Sequence, residues 1–183
     1  DWSSTCALPI FTSDFEDINA LERLNNEAFP AEERMEIDEM MQLISRQIIE
    51  VTAVYDDSTF VGFYALSVRK PTAYVFFLAI DSSKRSRGYG SKALALMKKQ
   101  YAGYQIVLDM EAIDDEAENI EQRKARKSFY LCNGYHETGY YLDYNDLIME
   151  VLCADEELDA DSFRILLDKL KIRKTPFVLV RMN

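Results

Sequence analysis

The sequence predicts an α/β protein in which helices flank a mixed central sheet, and a helix and a strand extend its C-terminus. In the middle of the chain, strand-like apolar runs alternate with segments of helical period. On either side of that middle, paired strand-like runs indicate hairpins. The chain has 183 residues, of which 48% are hydrophobic, enough for one packed core. We therefore expect a single domain over 1–183, with 154–183 as an extension packed on it.

The N-terminal part is expected to hold two helices and a hairpin. Ser13 and Glu16 form a capping-box pattern at the start of the first helix, and Pro30 ends that helix. The predicted elements are a weak strand over 2–11, a helix ending before 30, a helix over 37–46 and two strands over 49–55 and 59–68.

The rest of the chain starts with a continuous apolar run, 72–80, which predicts a central strand buried on both faces. The elements predicted after it are a helix over 88–100, a strand over 105–110, a helix over 120–132, a hairpin of strands over 135–144 and 147–152, a helix over 161–170 and a strand over 177–182. Gly134 ends the helix over 120–132, because glycine readily adopts a left-handed conformation. We expect Asp161 or Ser162 to cap the last helix.

The charge and the cysteines of the chain exclude several classes of function. The net charge is −11, whereas binders of nucleic acid or anionic membranes rely on Lys and Arg, so we expect neither partner. An acidic surface suits an amine or polyamine substrate, and it also simply keeps proteins in solution. The three cysteines are far apart and His136 is the only histidine. We therefore expect no metal site, no disulfide framework and a cytoplasmic location.

A glycine turn lies at the start of the predicted helix over 88–100. Between Asp81 and Asp109 there is no acidic residue, and six basic ones occur: Lys84, Arg85, Arg87, Lys92, Lys98 and Lys99. Glycines let the backbone approach a ligand closely, and the free N–H groups of a helix start favour an anion. The helix dipole contributes only ~0.3–1 kcal/mol, so charge-assisted hydrogen bonds at ~1.5–3 kcal/mol each have to supply most of the affinity. A phosphate-binding turn is one interpretation; an ordinary strand-to-helix connection with a solvated basic face is the other.

This turn differs from two common phosphate-binding loops. It is not a Walker A loop, because no Gly-Lys-Ser/Thr follows. It is not a dinucleotide-binding loop either, because position 93 is alanine and no acidic residue ends the next strand at the usual distance. With the local excess of basic residues, these differences favour a pyrophosphate of the CoA type.

Two motifs resemble those of the GNAT N-acetyltransferases. Arg85-Ser86-Arg87-Gly88-Tyr89-Gly90 resembles motif A of that family, Arg/Gln-x-x-Gly-x-Gly/Ala. The segment 125–135 resembles motif B, in which a helix carrying a tyrosine, here Tyr130, ends at Gly-Phe or Gly-Tyr. The order of elements over 13–152 also follows the family. The resemblance implies the GNAT fold, with a mostly antiparallel central sheet, and acyltransferase activity with acetyl-CoA as cosubstrate.

The resemblance also implies where acetyl-CoA binds. The glycine turn would hold the pyrophosphate, the end of the preceding strand would hydrogen-bond the pantetheine arm, and Phe129 and Tyr130 would lie beside the thioester. The cofactor-binding residues implied in this way are Leu78, Ala79, Ile80, Arg85, Ser86, Arg87, Gly88, Tyr89, Gly90, Ser91 and Phe129. Many relatives have Asn where this chain has Arg123, so we expect no Asn-mediated contact there.

The implied general acid is Tyr130. A phenol with a pKa near ~10 keeps a proton at neutral pH that it can give to the departing thiolate. The alternative is a structural role for Tyr130 in the core. The acceptor amine must lose a proton, and Glu111 is the first candidate base, because it ends the strand beside the cofactor strand. Glu27, Phe29 and Glu32 are expected in the acceptor pocket, which the first helices of the family cover; each acid is equally well explained as a solvated surface group.

The predicted function is that of an N-acetyltransferase for a primary amine of a small molecule or peptide. The basic run over 123–127 spreads over more than one helix face, so we expect a solvated face there and no nucleic acid. A non-catalytic acyl-CoA-binding regulatory protein is the alternative function. A structural or interaction module is a third, favoured by the C-terminal extension, which would close over the sheet or form the seam of a homodimer.

Overall fold

The computed structural model describes residues 5–10, 18–31, 34–144, 147–170 and 177–182. The chain divides into two compact units, Asp1–Val68 with Val75–Ala102, and Arg69–Tyr74 with Gly103–Asn183. The single domain over 1–183 stays a prediction. Within the described ranges, no helix combines the length and the apolarity that crossing a membrane requires.

The described residues of the first unit form three α-helices and several strands. Its elements are β1 (Thr5–Ile10), α1 (Ile18–Ala28), α2 (Ile37–Ser45), β2 (Glu50–Asp56), β3 (Thr59–Arg69, less its last residue), the Val75–Ile80 part of β4 (Thr72–Ile80) and α3 (Tyr89–Gln100). The strands follow the order β1-β2-β3-β4, and β2 pairs with both β1 and β3 in antiparallel register. The predicted hairpin and second helix are confirmed. The capping box at Ser13 and Glu16 lies outside the described residues.

The core of the first unit comes from the apolar faces of its helices and from its strands. Leu94 and Met97 of α3 are buried, and so is Tyr101, the residue that follows the helix. Each buried Leu or Met side chain contributes about 1.5–3 kcal/mol through removal from water. In β4 the prediction of burial on both faces is wrong for the second half, where half-buried and buried residues alternate from Phe76 to Ile80. One face of that half strand is partly accessible, because side chains in a strand point alternately to its two faces.

The second unit contains the remaining elements, all of which the sequence predicts. They are the Thr72–Tyr74 part of β4, β5 (Gln105–Glu111), α4 (Ile120–Cys132), β6 (His136–Asp143), β7 (Ile148–Cys153), α5 (Ala160–Leu170) and β8 (Val178–Arg181). The strands of the later part follow the order β5-β7-β6-β8, and the pairs β5–β7, β6–β7 and β6–β8 are antiparallel. Gly134 has a φ of 75°, as predicted for the residue that ends α4.

The C-terminal segment from residue 154 is joined to β5 and to the start of β4. Asp159 and Gln105 exchange two hydrogen bonds, one from Gln105 Nε2 to the Asp159 carbonyl at 3.0 Å and one from the Asp159 N–H to Gln105 Oε1 at 2.9 Å. Asp159 also caps α5, because its carboxylate accepts from the Ser162 N–H at 3.0 Å and from Ser162 Oγ at 2.6 Å. The prediction that Asp161 or Ser162 is the cap is therefore wrong. The helix begins at Ala160, so the preceding residue is the one whose side chain reaches the free N–H groups of the first turn.

Candidate active site

The first unit holds the turn that the sequence predicts as a pyrophosphate site, residues 85–91, called the cradle below. Ser86 and Gly88 both have a left-handed backbone, with φ of 61° and 80°, and Gly88 is the N-cap of α3. The exposed residues of the cradle are Arg85, Ser86, Arg87 and Gly88, and the half-buried ones are Tyr89, Gly90 and Ser91. Left-handed residues in a turn before a helix let backbone N–H groups converge on an anion. The geometry, together with two exposed guanidinium groups, suits a diphosphate.

The strand end before the cradle is shaped by a glycine on its neighbour. Leu78 and Ile80 are half-buried, Ala79 is buried, and Arg85 Nε donates to the Ile80 carbonyl at 3.2 Å. A Cβ atom at Gly62 on β3 would overlap the Ala79 carbonyl oxygen and lie 2.7 Å from Ile80 Cδ1. The end of β4 can therefore lie this close to β3 only because residue 62 has no side chain.

A capped turn connects β4 to the cradle. Asp81 follows β4 and begins a 3₁₀ turn over Ser82–Lys84. Its Oδ1 accepts hydrogen bonds from the Ser83 N–H at 3.0 Å and from Ser83 Oγ at 2.6 Å. These bonds, helped by the charge of Arg23, hold the pKa of Asp81 below its usual value. The carboxylate thus stays charged and keeps the turn in place at neutral pH.

The second unit holds the tyrosine of motif B. Tyr130 is buried in α4, with its ring centroid 5.2 Å from that of Phe129 and 5.9 Å from that of Tyr135. Burial raises the pKa of Tyr130 to about 12; the charge of Arg126 opposes the rise and that of Asp109 adds to it. The hydroxyl therefore keeps its proton at neutral pH, so it can donate a proton and cannot serve as a base.

Glu111 is the last residue of β5, and its carboxylate is bound by two guanidinium groups. Arg123 Nη2 lies 2.9 Å from Oε1 and Arg126 Nη1 lies 3.1 Å from Oε2. Asn119 Nδ2 donates to both oxygens at 3.2 and 3.3 Å, and Arg123 also donates to the Ala112 carbonyl at 2.8 Å. Only 14% of the Glu111 side chain is exposed. Glu111 thus ties the end of β5 to α4, and its protonation would remove the charge that both arginines bind.

The basic run of α4 is only in part the solvated face that the sequence predicts, because Lys124 and Arg126 are exposed while Arg123 and Lys127 are half-buried. Arg123 and Arg126 bind Glu111, and Lys124 lies 3.6 Å from Glu121. Lys127 Nζ, on a side chain only 20% exposed, lies 2.9 Å from Oε1 of Glu150 and also contacts Glu137. Glu150 is itself only 4% exposed. The prediction fails for Arg123 and Lys127, because their partners lie up to 23 positions away in the sequence, on strands that the run itself does not indicate.

The predicted acceptor-pocket residues occupy different environments. Glu27 is exposed on α1. Phe29, just after α1, is half-buried, and its ring centroid lies 4.6 Å from that of Phe77 and 6.5 Å from that of Phe63. Glu32 lies outside the described residues. Phe29 thus belongs to an aromatic cluster with Phe63 and Phe77.

Sequence reasoning missed one polar cluster in the second unit. Tyr74 donates from its hydroxyl to Asp109 Oδ1 at 2.9 Å. Burial, the charge of Asp109 and the nearby Tyr144 hydroxyl hold the pKa of Tyr74 well above its ordinary value. A signal was present, because Asp109 is the one charged residue inside the apolar strand over 105–110 and lies two residues before Glu111, hence on the same face.

Comparison with known proteins agrees with the fold and the two motifs. Residues 18–125, more than half of the chain, match the model of the acetyltransferase (GNAT) family. A search among curated proteins finds no significant match. A similar solved structure is that of a Bacteroides thetaiotaomicron protein assigned to the GNAT family, with a TM-score of 0.74 and 26% identity over 90% of this chain and 95% of that one.

Two further similar structures contain ligands. An aminoglycoside 6′-N-acetyltransferase complexed with coenzyme A has a TM-score of 0.63 and 17% identity, over 84% of this chain and 99% of that one. Arabidopsis thaliana Naa50, in complex with a bisubstrate analogue, has a TM-score of 0.55 and 19% identity, over 82% of this chain and 97% of that one. At these identities the likeness concerns the fold alone.

The family match includes the cradle, Glu111 and the first part of α4, while Tyr130 lies beyond its end. Helices flanking a mixed sheet, as predicted, are the architecture shared with the similar structures. The chain therefore belongs to the GNAT family of acetyltransferases.

Proposed function

We propose that this protein is an N-acetyltransferase that transfers the acetyl group of acetyl-CoA to a primary amine of a small molecule or peptide. The observation that carries the proposal is the cradle, where two left-handed residues and two exposed arginines stand at the N-terminus of α3. Membership of an acetyltransferase family supports it. The coenzyme A complex of the similar aminoglycoside acetyltransferase and the bisubstrate complex of the similar Naa50 support a CoA donor.

The proposed donor residues lie in the cradle, in the strand before it and in α4. The backbone N–H groups of the cradle, with the side chains of Arg85 and Arg87, would hold the pyrophosphate. The backbone of Leu78, Ala79 and Ile80 would hydrogen-bond the pantetheine arm, and Phe129 would lie beside the thioester. Hydrogen bonds to charged groups contribute about 1.5–3 kcal/mol each, so a few of them suffice for micromolar affinity.

The proposed chemistry is direct attack of the amine on the thioester carbonyl. The C–N bond forms and the C–S bond breaks. Tyr130 gives its proton to the departing thiolate, and a carboxylate takes the proton that the attacking nitrogen loses. Glu111 is the carboxylate that the sequence suggests, acting alone or through a water molecule. The two ion pairs of Glu111 oppose a role as the base, because taking up a proton would disrupt both of them.

Two measurements test the proposal. The first is the melting temperature with and without acetyl-CoA, since a ligand at about a hundred times its Kd adds about 2.7 kcal/mol of stability. The second is consumption of the thioester with a panel of primary amines. The double variant Arg85→Ala/Arg87→Ala should lose most of the thermal shift, while Lys99→Ala, at the exposed far end of α3, should keep it.

The outcomes separate the competing functions. A thermal shift together with amine-dependent thioester consumption supports the acetyltransferase. A thermal shift without turnover for any amine favours the non-catalytic acyl-CoA-binding regulator. Absence of the shift at high acetyl-CoA concentration would mean that the cradle does not bind this donor.

We also propose that the enzyme acts in the cytoplasm, without nucleic acid or a membrane as partner. The net charge of −11 supports this, because polyanionic partners would be repelled. Self-association as a homodimer through the C-terminal segment stays a prediction, which sedimentation of the full chain would test.

A further inference from the structure

We infer that Asn25 of α1 is a positioning residue, which holds Phe29 so that its ring selects acceptor amines carried on an apolar or aromatic group. The inference rests on the proposed function and names the chemical class of its acceptor. It also gives a role to a buried amide on the apolar face of α1, where Leu21 and Leu24 are the other buried residues.

The Asn25 side chain closes the turn between α1 and α2. Only 1% of Asn25 is exposed, and its Nδ2 donates at 2.8 Å to the carbonyl of Met35, which is completely buried. At the start of the turn, the Phe29 N–H donates to the Asn25 carbonyl at 3.2 Å. Within the turn, the Arg34 N–H donates to the Pro30 carbonyl at 3.0 Å. The turn that begins at Phe29 is therefore fastened to Asn25 at both of its ends.

Stability alone does not explain an amide at position 25. Oδ1 of Asn25 is buried, and no described residue donates a hydrogen bond to it. A buried oxygen without a donor costs free energy, whereas a leucine of similar size would bury apolar surface at this position. Leucine would, however, leave the Met35 carbonyl without its donor. The contribution of the asparagine is therefore the bond to Met35, and with it the position of the turn.

Two contacts place α1 beside the strand that is proposed to bind the pantetheine arm. The Phe29 ring centroid lies 4.6 Å from that of Phe77, the residue before Leu78. Arg23 Nη2 lies 3.7 Å from Oδ2 of Asp81, the residue after the strand. With the pyrophosphate in the cradle, the arm runs backward along the strand, so its thioester end lies toward Phe77. Phe29 therefore stands on the side where the acceptor meets the thioester.

The surroundings of Phe29 determine which acceptors gain from contact with it. The ring packs on Phe77 and lies 6.5 Å from Phe63, centroid to centroid, while part of the half-buried residue stays accessible. An aromatic or aliphatic group packed on that accessible part is removed from water, and a ring adds the attraction of an aromatic pair. A polar group placed there would lose its hydration without a hydrogen bond from the ring. The cluster therefore favours apolar amines.

The first test compares Asn25→Leu with Asn26→Leu, the same change at the next residue of α1, which is exposed. We expect Asn25→Leu to raise the KM for 2-phenylethylamine roughly two- to tenfold, the range that an aromatic pair implies. The KM for ethanolamine, kcat and the thermal shift by acetyl-CoA should not change, and Asn26→Leu should behave like the unaltered enzyme. An equal change for both amines, or no change, overturns the inference and leaves the acetyltransferase proposal standing.

A second test uses the unaltered protein and needs no turnover. In the presence of CoA, calorimetry would measure the binding of 2-phenylethylamine and of ethanolamine. Both are ammonium ions at pH 7, as the lysine side chain is, so they differ in the apolar group and not in charge. We expect the phenyl compound to bind at least about tenfold more tightly. Equal binding, or no binding of either amine, overturns the inference even if no acceptor has been found.

Hydrogen exchange tests the positioning role without any acceptor. The Arg34 amide, bonded within the turn, should exchange at least about tenfold faster in Asn25→Leu than in Asn26→Leu, because the turn opens more readily. The Lys92 amide, which donates to the Gly88 carbonyl at 3.0 Å in the cradle, is the internal reference and should exchange alike in both variants. Equal exchange of the Arg34 amide in the two variants would show that Asn25 does not hold the turn, and the inference fails.

Discussion

The hydroxyl of Tyr89 donates a 2.5 Å hydrogen bond to Oδ2 of Asp56. Tyr89 is the first residue of α3 and lies between the two glycines of the cradle, while Asp56 is the last residue of β2. Lys92 Nζ lies 5.2 Å from the centroid of the same ring. The bond therefore ties the turn after β2 to the backbone that is proposed to hold the pyrophosphate.

Removal of this bond is expected to loosen the cradle. In Tyr89→Phe the hydroxyl is gone, and we expect the Kd for acetyl-CoA to rise roughly two- to tenfold, as for loss of one hydrogen bond. Calorimetry would measure it. The matched control is Asp57→Asn. Asp57 follows Asp56, is exposed and has a φ of 52°, a conformation that asparagine tolerates. An equal effect of both variants would argue against the specific tie.

Gly62→Ala tests whether the close approach of β3 to β4 matters for the donor. The added Cβ would overlap the Ala79 carbonyl, so we expect a loss of about 1–3 kcal/mol in the free energy of unfolding and weaker binding of acetyl-CoA. Urea unfolding and thermal shift measure the two effects. Gly103→Ala is the control, since a Cβ there meets open space but the φ of 82° is strained. It should lower stability without changing acetyl-CoA affinity.

Tyr130→Phe tests the general acid. Because burial raises the pKa of Tyr130 to about 12, the hydroxyl stays protonated over the whole usual assay range. We expect kcat of the unaltered enzyme to show no alkaline decline from this group below about pH 10. The variant should lose roughly a hundredfold in kcat, with little change in the acetyl-CoA thermal shift. Full kcat in Tyr130→Phe across pH would rule out the assignment.

Stability in alkali should depend on the buried tyrosines. Tyr74 and Tyr130 have a higher pKa when folded than the ordinary ~10 of an unfolded chain. Above about pH 10 the unfolded state loses protons that the folded state retains, so stability is complete below about pH 10 and falls as pH rises, up to about pH 12 in the case of Tyr130. Each tyrosine adds a slope of up to about 1.4 kcal/mol per pH unit.

Urea unfolding in steps from about pH 8 to about pH 11 would measure that slope. Tyr130→Phe should reduce this slope of stability against pH by the contribution of one tyrosine. The exposed fractions of Tyr74 and Tyr130 are 3% and 9%, which is why burial dominates their shifts. If the slopes of the variant and the unaltered protein coincide, Tyr130 does not titrate in this way.

Loss of one partner of the Lys127–Glu150 ion pair is expected to cost more stability than loss of both partners together. Lys127→Met would leave Glu150, 4% exposed, without its cation, at a cost of about 3 kcal/mol in the free energy of unfolding. Lys127→Met with Glu150→Gln should recover most of the loss, as a double-mutant cycle would measure. The control Glu137→Gln removes the outer partner, which is 57% exposed, and should cost less than about 1 kcal/mol.

Much of the site was predictable where the signal is local. The strand, the left-handed Gly88 and the helix start of the cradle lie within a dozen positions, and apolar runs and glycines indicate them; the left-handed backbone of Ser86 has no such signal. The Ile120–Cys132 helix and the left-handed Gly134 after it follow from the same short-range rules. The cap of α5 was misplaced, because the helix begins one residue earlier than its polar residues suggest.

The partners of charged side chains were not predictable in the same way. Glu111 looked like a candidate base, and the structure places Arg123 and Arg126 on it; Asp109 drew no attention, and the structure places it against Tyr74, 35 positions away. Periodicity, turn chemistry and the two GNAT motifs depend on neighbours within a few residues, so the sequence by itself determined the elements, the family and the position of the glycine turn. Which side chains each carboxylate contacts depends on strand register and on where α4 and α5 pack, and only the tertiary structure decided that.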